Sequence, residues 1–164
     1  MTEDDPIYQK QVVEAIKLSS MLRGVFLNRV AHLEVVIDTF LAYHFTKTDR
    51  EWKDFLTFIM PSDIIIFEKK RTIFKKIVES YYPSLKEKVP TFHAMLGKIR
   101  ERRNEFAHYP LDVTPEGISM FIETNKVILL DNMKERVQYT HIEITELANQ
   151  IQTLSNTISE YLPM

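Results

Sequence analysis

The stretch VFLNRVAHLEVVIDTFLAYHF, Val25 to Phe45, places Val30, Leu33, Ile37, Leu41 and Phe45 at steps of three and four residues. A recurrence of about 100° per residue is the period of an amphipathic helix, not of a strand. The reading is therefore all-α. Glu34 falls inside this apolar stripe, about 40° from Val30 on the helical wheel. A lone carboxylate there would be costly, so Glu34 needs either a partner or a place at the edge of the core.

Working outward, Asp5 followed by Pro6 has the form of an N-cap and a first-turn proline, opening a helix with Val12, Val13, Ile16 and Leu22 at helical spacing. Gly24 is expected to break or bend it. Downstream, a short helix from Arg50 to Ile59 ends before Pro61, and DIIIF (Asp63 to Phe67) is readable either as a buried extended piece or as the start of the next helix. That helix follows through Phe67, Phe74, Ile77, Val78 and Tyr81. Pro83 and Pro90 bracket a basic linker. Thr91 is placed to cap a long helix from Phe92 to His108, which Tyr109-Pro110 stops because a residue before proline avoids the α region. The β-branched and aromatic runs in GISMFIETNKVILLD predict a β-hairpin at about 117–130, turning around Asn125-Lys126. A last helix, about Thr140 to Leu162, follows Leu147, Ile151, Leu154, Ile158 and Leu162. The expectation is a single domain over 1–164, a bundle of about five to six helices with a small β-hairpin before the last.

Composition narrows the chemistry. The 164 residues suffice for a real core, and ten Phe, seven Tyr and three Gly argue against disorder. No cysteine is present, which removes disulfides, thiolate catalysis and cysteine-bound zinc and fits a reducing compartment. The acidic start MTEDDPIYQK is unlike a secretory signal, and no apolar run approaches the ~18 residues of a membrane span. A soluble, cytoplasmic protein with no membrane association is expected. His32, His44, His93, His108 and His141 are scattered without metal-ligand spacing, and the three glycines form no phosphate-cradling loop and no Gly-x-Ser-x-Gly turn. Neither a metal nor a cofactor is expected. His44 reads as a core histidine. With a net charge of −2, any nucleic-acid contact must come from a local patch.

One such patch is IRERRNEFAHYP, Ile99 to Pro110. With Ile99 as origin, Phe92, Met95, Leu96 and Phe106 lie within about 60° and define the core face, and Arg103 lies at about 40° on the same side. Arg103 is thus expected to meet a buried acid, with Glu34 as the candidate. A second face, from about 100° to 180°, carries His93, Gly97, Arg100, Asn104, Ala107 and His108. Its small residues suit a cleft or a helix-to-helix seam, and Asn104 and His108 stand one turn apart. Arg103 and His108 diverge by about 140°, which a two-fold dimer along this face would reconcile by bringing two copies around one groove.

Arg103-Asn104-x-x-Ala107-His108 resembles the R-N-x-x-A-H form of the Arg-x4–6-His motif of HEPN domains, helical bundles of toxin–antitoxin and phage-defence systems and of some nucleases. The likeness covers six residues of motif and, in architecture, most of the chain. It implies a homodimer with a composite site, often a metal-independent endoribonuclease, with a cognate antitoxin as a further partner. Carried over by residue, His108 would be general base or acid, Arg103 would steady phosphate charge and Asn104 would orient one of them or the RNA. Glu34 would support the site from the early helix.

The chemistry asks for the same residue types. RNA cleavage without a metal needs a proton taken from the ribose 2′-hydroxyl and one given to the leaving 5′-oxygen, and imidazole does either near neutrality. Guanidinium matches phosphate with forked donors. Arg100 stands near His108, Tyr109 can stack on a base, and Lys86, Lys88, Lys98 and Arg102 add positive charge for substrate, interrupted by Glu87, Glu101 and Glu105. The rival reading is a catalytically inactive dimeric interaction or regulatory module, with Arg103 tied to Glu34 and His108 as a helix cap.

Overall fold

Asp5 opens the first helix as its sequence predicts: in the computed structural model its Oδ1 accepts from the Ile7 N–H at 2.8 Å. The structure describes residues 5–61, 65–131 and 135–163. Among them are seven α-helices and one two-stranded antiparallel sheet. Helix α1, Pro6–Phe45, runs through Gly24 without interruption. A glycine costs a helix interior only about 1 kcal/mol relative to alanine, too little to break a helix whose apolar side is sustained from Tyr8 to Leu41. The two expected helices are thus one.

The chain divides into two compact units, 1–28 with 101–149 and 29–100 with 150–164. The second unit contains the far part of α1, then α2 (Asp49–Asp54), which continues as a π-helical turn, Phe55–Ile59. Thr48 and Glu51 form a capping box at the start of α2. Trp52 packs on Tyr43 with ring centroids 5.3 Å apart. Asp63 and Ile64 of the ambiguous DIIIF run lie outside the described residues, Ile66 is extended, and α3, Phe67–Tyr81, begins at Phe67. The expected linker is instead helix α4, Pro83–Lys88, which buries Leu85. Proline at a first helical position starts a helix as readily as it ends one. Phe74 sits between Phe40 and Phe92, at centroid distances of 5.1 and 5.6 Å. In the same unit Leu33, Ile37, Leu41, Val78, Leu96, Ile99, Ile151 and Ile158 are fully buried.

In the first unit the hairpin stands elsewhere than expected. The segment read as its first strand is helix α6, Pro115–Thr124, with Thr114 as N-cap, Pro115 in the first turn and Asn125 ending it at φ 52°. Asparagine does adopt a positive φ here, but as a helix C-cap and not as a hairpin turn. The strands are β1, Val127–Leu130, and β2, Arg136–Tyr139, in the register Val127↔Tyr139 to Leu130↔Arg136. Helix α5, Phe92–His108, has the expected bounds. Helix α7, His141–Ser159, starts from a Thr140–Glu143 capping box, the Thr140 N–H giving to Glu143 at 2.8 Å and the Glu143 N–H returning to Thr140 Oγ1 at 3.1 Å. Phe106 joins the core between Phe26 and Tyr139, at 5.4 and 5.0 Å. Among the described residues no helix is long and apolar enough to cross a membrane.

Candidate functional site

The motif occupies the last turns of α5. Arg103, Asn104, Ala107 and His108 are all exposed, while Phe106 is buried. The Arg103 guanidinium donates through Nη1 to Asn104 Oδ1 at 3.3 Å. Among the described residues it forms no salt bridge. This corrects the wheel reading, which put Arg103 on the core face. Near the start of α5 the buried side chains are Phe92 and Leu96; near its end Arg102 and Glu105 turn inward beside Phe106. The wheel centred on Ile99 places Phe106 correctly, but at this end of the helix the inward side has turned toward Arg102 and Glu105 and away from Arg103.

Glu34, in the other unit, has a different partner from the one expected. Lys70 of α3, 6% exposed, lays its ammonium 3.2 Å from Glu34 Oε1 and 2.7 Å from Asp38 Oδ2. The two acids are four residues apart on α1 and so share a face. Burial raises the Asp38 pKa above the usual carboxylate value, against the pull of Lys70 and with help from Glu34. The sequence offered a signal for Lys70: it stands four residues before buried Phe74 and seven before buried Ile77.

The arginines beside the motif are engaged within the fold. Arg102 Nη1 reaches Glu105 Oε2 at 2.7 Å and the Tyr139 hydroxyl at 2.8 Å, with its guanidinium 5.1 Å from the Tyr139 ring centroid. That hydroxyl also donates to Glu105, and its pKa is raised by burial and then by the Glu105 carboxylate. Arg102, expected to bind substrate, therefore ties α5 to β2. Arg100 Nη1 lies 2.7 Å from Glu68 Oε2, and Glu68 Oε1 takes Arg71 Nη2 at 2.6 Å. Gly97 belongs to the same seam: a Cβ there would come within 2.8 Å of Arg71 Nη1. The first half of the small-residue face is thus a helix-to-helix contact, and its second half, Asn104 to His108, is open to solvent. His93 lies in the seam with Nδ1 buried and without a hydrogen-bond partner among the described residues. Burial, then Arg71 and Lys75, hold its pKa low.

Lys98 and Lys86 are exposed, and Lys88 pairs with Glu160 at 2.6 Å. His44 is half-buried among Phe45, Tyr81 and Tyr82, and burial lowers its pKa. Among the described residues no group of three or more His, Asp or Glu side chains is arranged to hold a metal ion.

The chain leaving the motif is fixed. Tyr109 is half-buried, its N–H bonds to Glu105 O at 2.9 Å, and its carbonyl accepts from Arg23 Nη2 at 2.5 Å. The Pro110 carbonyl accepts from the Leu130 N–H at 2.9 Å, and the Asp112 N–H gives to Ile128 O at 2.8 Å. Asp112, 1% exposed, anchors this segment through Arg136 Nε at 2.6 Å and Thr114 Oγ1 at 2.6 Å. Neither Arg23 nor Asp112 stood out from the sequence. No model of a protein family, no curated protein and no solved structure matches this chain.

Proposed function

We propose that the protein acts as a HEPN-like homodimer that cleaves RNA without a metal, His108 serving as proton carrier, Arg103 as phosphate ligand and Asn104 as the group that orients Arg103. One imidazole would take the 2′-hydroxyl proton as that oxygen attacks phosphorus. The phosphorus–O5′ bond breaks, a 2′,3′-cyclic phosphate forms, and the partner's imidazole returns a proton to the 5′-oxygen. The observation that carries this reading is the placement of Arg103, Asn104 and His108 together on the exposed end of α5, with Arg103 bonded to Asn104 at 3.3 Å and in no ion pair among the described residues. Arg100 and Arg102, held by Glu68 and Glu105, leave Arg103 as the arginine of α5 turned to solvent. Lys98 adds local positive charge, and a toxin or defence role with a cognate antitoxin follows from the resemblance. The test is purified protein with varied RNAs in excess chelator. Cleavage lost in both His108→Ala and Arg103→Ala, with the dimer intact, supports it; inertness of the wild type overturns it.

The alternative, an inactive interaction module, is favoured by the exposed apolar side chains of α1 in the first unit. Ile7, Val13, Ile16, Met21 and Val25 are each 46% exposed or more. A dimer that forms in the absence of any cleavage, and that is unaltered by His108→Ala, would select it.

A further inference from the structure

Arg23 is a half-buried cation whose strongest contact is a carbonyl, not a carboxylate. Its Nη2 reaches Tyr109 O at 2.5 Å, its Nε is buried without a hydrogen-bond partner, and no ion pair engages it among the described residues. Guanidinium stays charged at any physiological pH, and a charge drawn out of water without a counter-ion is costly. The same side chain lines a cavity of about 160 Å³ with Ile16, Ser19, Ser20 and Leu111. Ser19 is 3% exposed and Ser20 stands open to solvent. The volume equals that of roughly five water molecules at ~30 Å³ each. It falls below the ~300 Å³ at which pockets for larger organic ligands begin. A single cation, two hydroxyls and little room together select a small oxyanion.

We propose that this cavity binds a phosphoryl oxyanion, with Arg23 supplying the positive charge and Ser19 and Ser20 the hydroxyl donors. The anion neutralises the guanidinium that the fold leaves unmatched. Because Arg23 also holds the carbonyl of Tyr109, the cavity lies beside the residue that follows His108. If the cleavage reading above holds, the phosphate is that of an RNA nucleotide next to the one cleaved; the anion site itself does not depend on that reading. Free phosphate and an RNA phosphodiester offer the same oxygens, and the test separates them.

Inorganic phosphate is titrated into the full-length protein while backbone amide signals are followed by NMR. Saturable shifts at Ser19, Ser20 and Leu111 are expected, with half-saturation at or below roughly 10 mM, in the range of weak single-site affinities. Ser20→Asp sets a negative charge at the open rim, competes for Arg23 and should weaken phosphate at least about ten-fold, with a thermal melt no lower than that of the wild type. Arg23→Gln should abolish the shifts. No saturable shift in the wild type, or shifts undiminished in Ser20→Asp, overturns the proposal. A 2′-O-methyl oligonucleotide, which lacks the attacking hydroxyl and cannot be cleaved, is added in competition. Displacement of phosphate identifies RNA as the source. Phosphate binding without displacement retains the anion site and removes RNA from it. Activity of His108→Ala bears on the cleavage reading alone, so the two can fail separately.

Discussion

Gly117→Ala is expected to destabilise the protein by about 1–3 kcal/mol, the cost of forcing a methyl group into a closely packed site. A Cβ at Gly117 would lie 2.3 Å from Asp112 Cγ and 2.6 Å from both Asp112 O and Oδ1. Those are distances at which something must move, and little there can. The Asp112 carboxylate is fixed by Arg136 Nε at 2.6 Å, by Thr114 N at 3.0 Å and by Thr114 Oγ1 at 2.6 Å. Thr114 Oγ1 in turn caps α6 by accepting from the Gly117 N–H at 3.2 Å. Moving the carboxylate would disturb the pair with Arg136, and the cap alone is worth about 1 kcal/mol. Urea unfolding followed by far-ultraviolet circular dichroism measures the loss. Gly24→Ala is the internal control: nothing lies within 4 Å of a Cβ there, so the helix should gain about 0.5–1 kcal/mol. A Gly117→Ala loss below about 1 kcal/mol, within the ordinary scatter of point mutants, would refute the claim that a glycine is required beside Asp112.

Lys70→Met leaves Glu34 and Asp38 without their buried cation and should cost about 3 kcal/mol in urea unfolding, with part of the loss recovered when Asp38→Asn is added. Asp112 gives a pH signature. Burial pushes its pKa up, but Arg136 and then Thr114 outweigh burial and hold it below the usual value. Its stabilisation is therefore complete above the unfolded value of about 3.9 and is lost as pH falls through the lower folded value. Asp112→Asn should remove that part of the acid slope in thermal melts. Tyr139→Phe takes away the hydroxyl between Arg102 and Glu105 and should cost about 1–2 kcal/mol while leaving any RNA cleavage rate unchanged, because Arg102 serves the fold. His108→Ala should alter stability by less than about 0.5 kcal/mol, since the side chain is exposed.

The long apolar stripe from Val30 to Leu41 and the bounds of α5 were readable because each rests on a local signal: periodicity in one, proline punctuation in the other. The hairpin was displaced because Ile118, Phe121 and Ile122 suit a strand by residue type, while the decisive signals, Thr114-Pro115 and Asn125, are those of helix ends. Tertiary packing also decided what a wheel could not. Glu34 was recognised as an acid needing a partner, but that the partner is Lys70 depends on which helices pack together. Likewise the choice of Arg102 over Arg103 as the inward arginine follows from Tyr139, a residue on a strand 37 positions away. Gly97 is nearer to its reading, since a missing side chain suited a helix-to-helix seam, although what fills the space is the guanidinium of Arg71 and not a backbone.

The aromatic contacts equip the chain with separate optical reporters. Trp52, the sole tryptophan, stacks near Tyr43 in the unit of 29–100 with 150–164, whereas Tyr139 sits under Arg102 in the unit of 1–28 with 101–149. Fluorescence excited at the red edge of tyrosine absorption therefore follows one unit alone, and the near-ultraviolet signal lost in Tyr139→Phe follows the other. Comparing the two denaturation curves tells whether the halves melt in concert or in succession, with no dye attached.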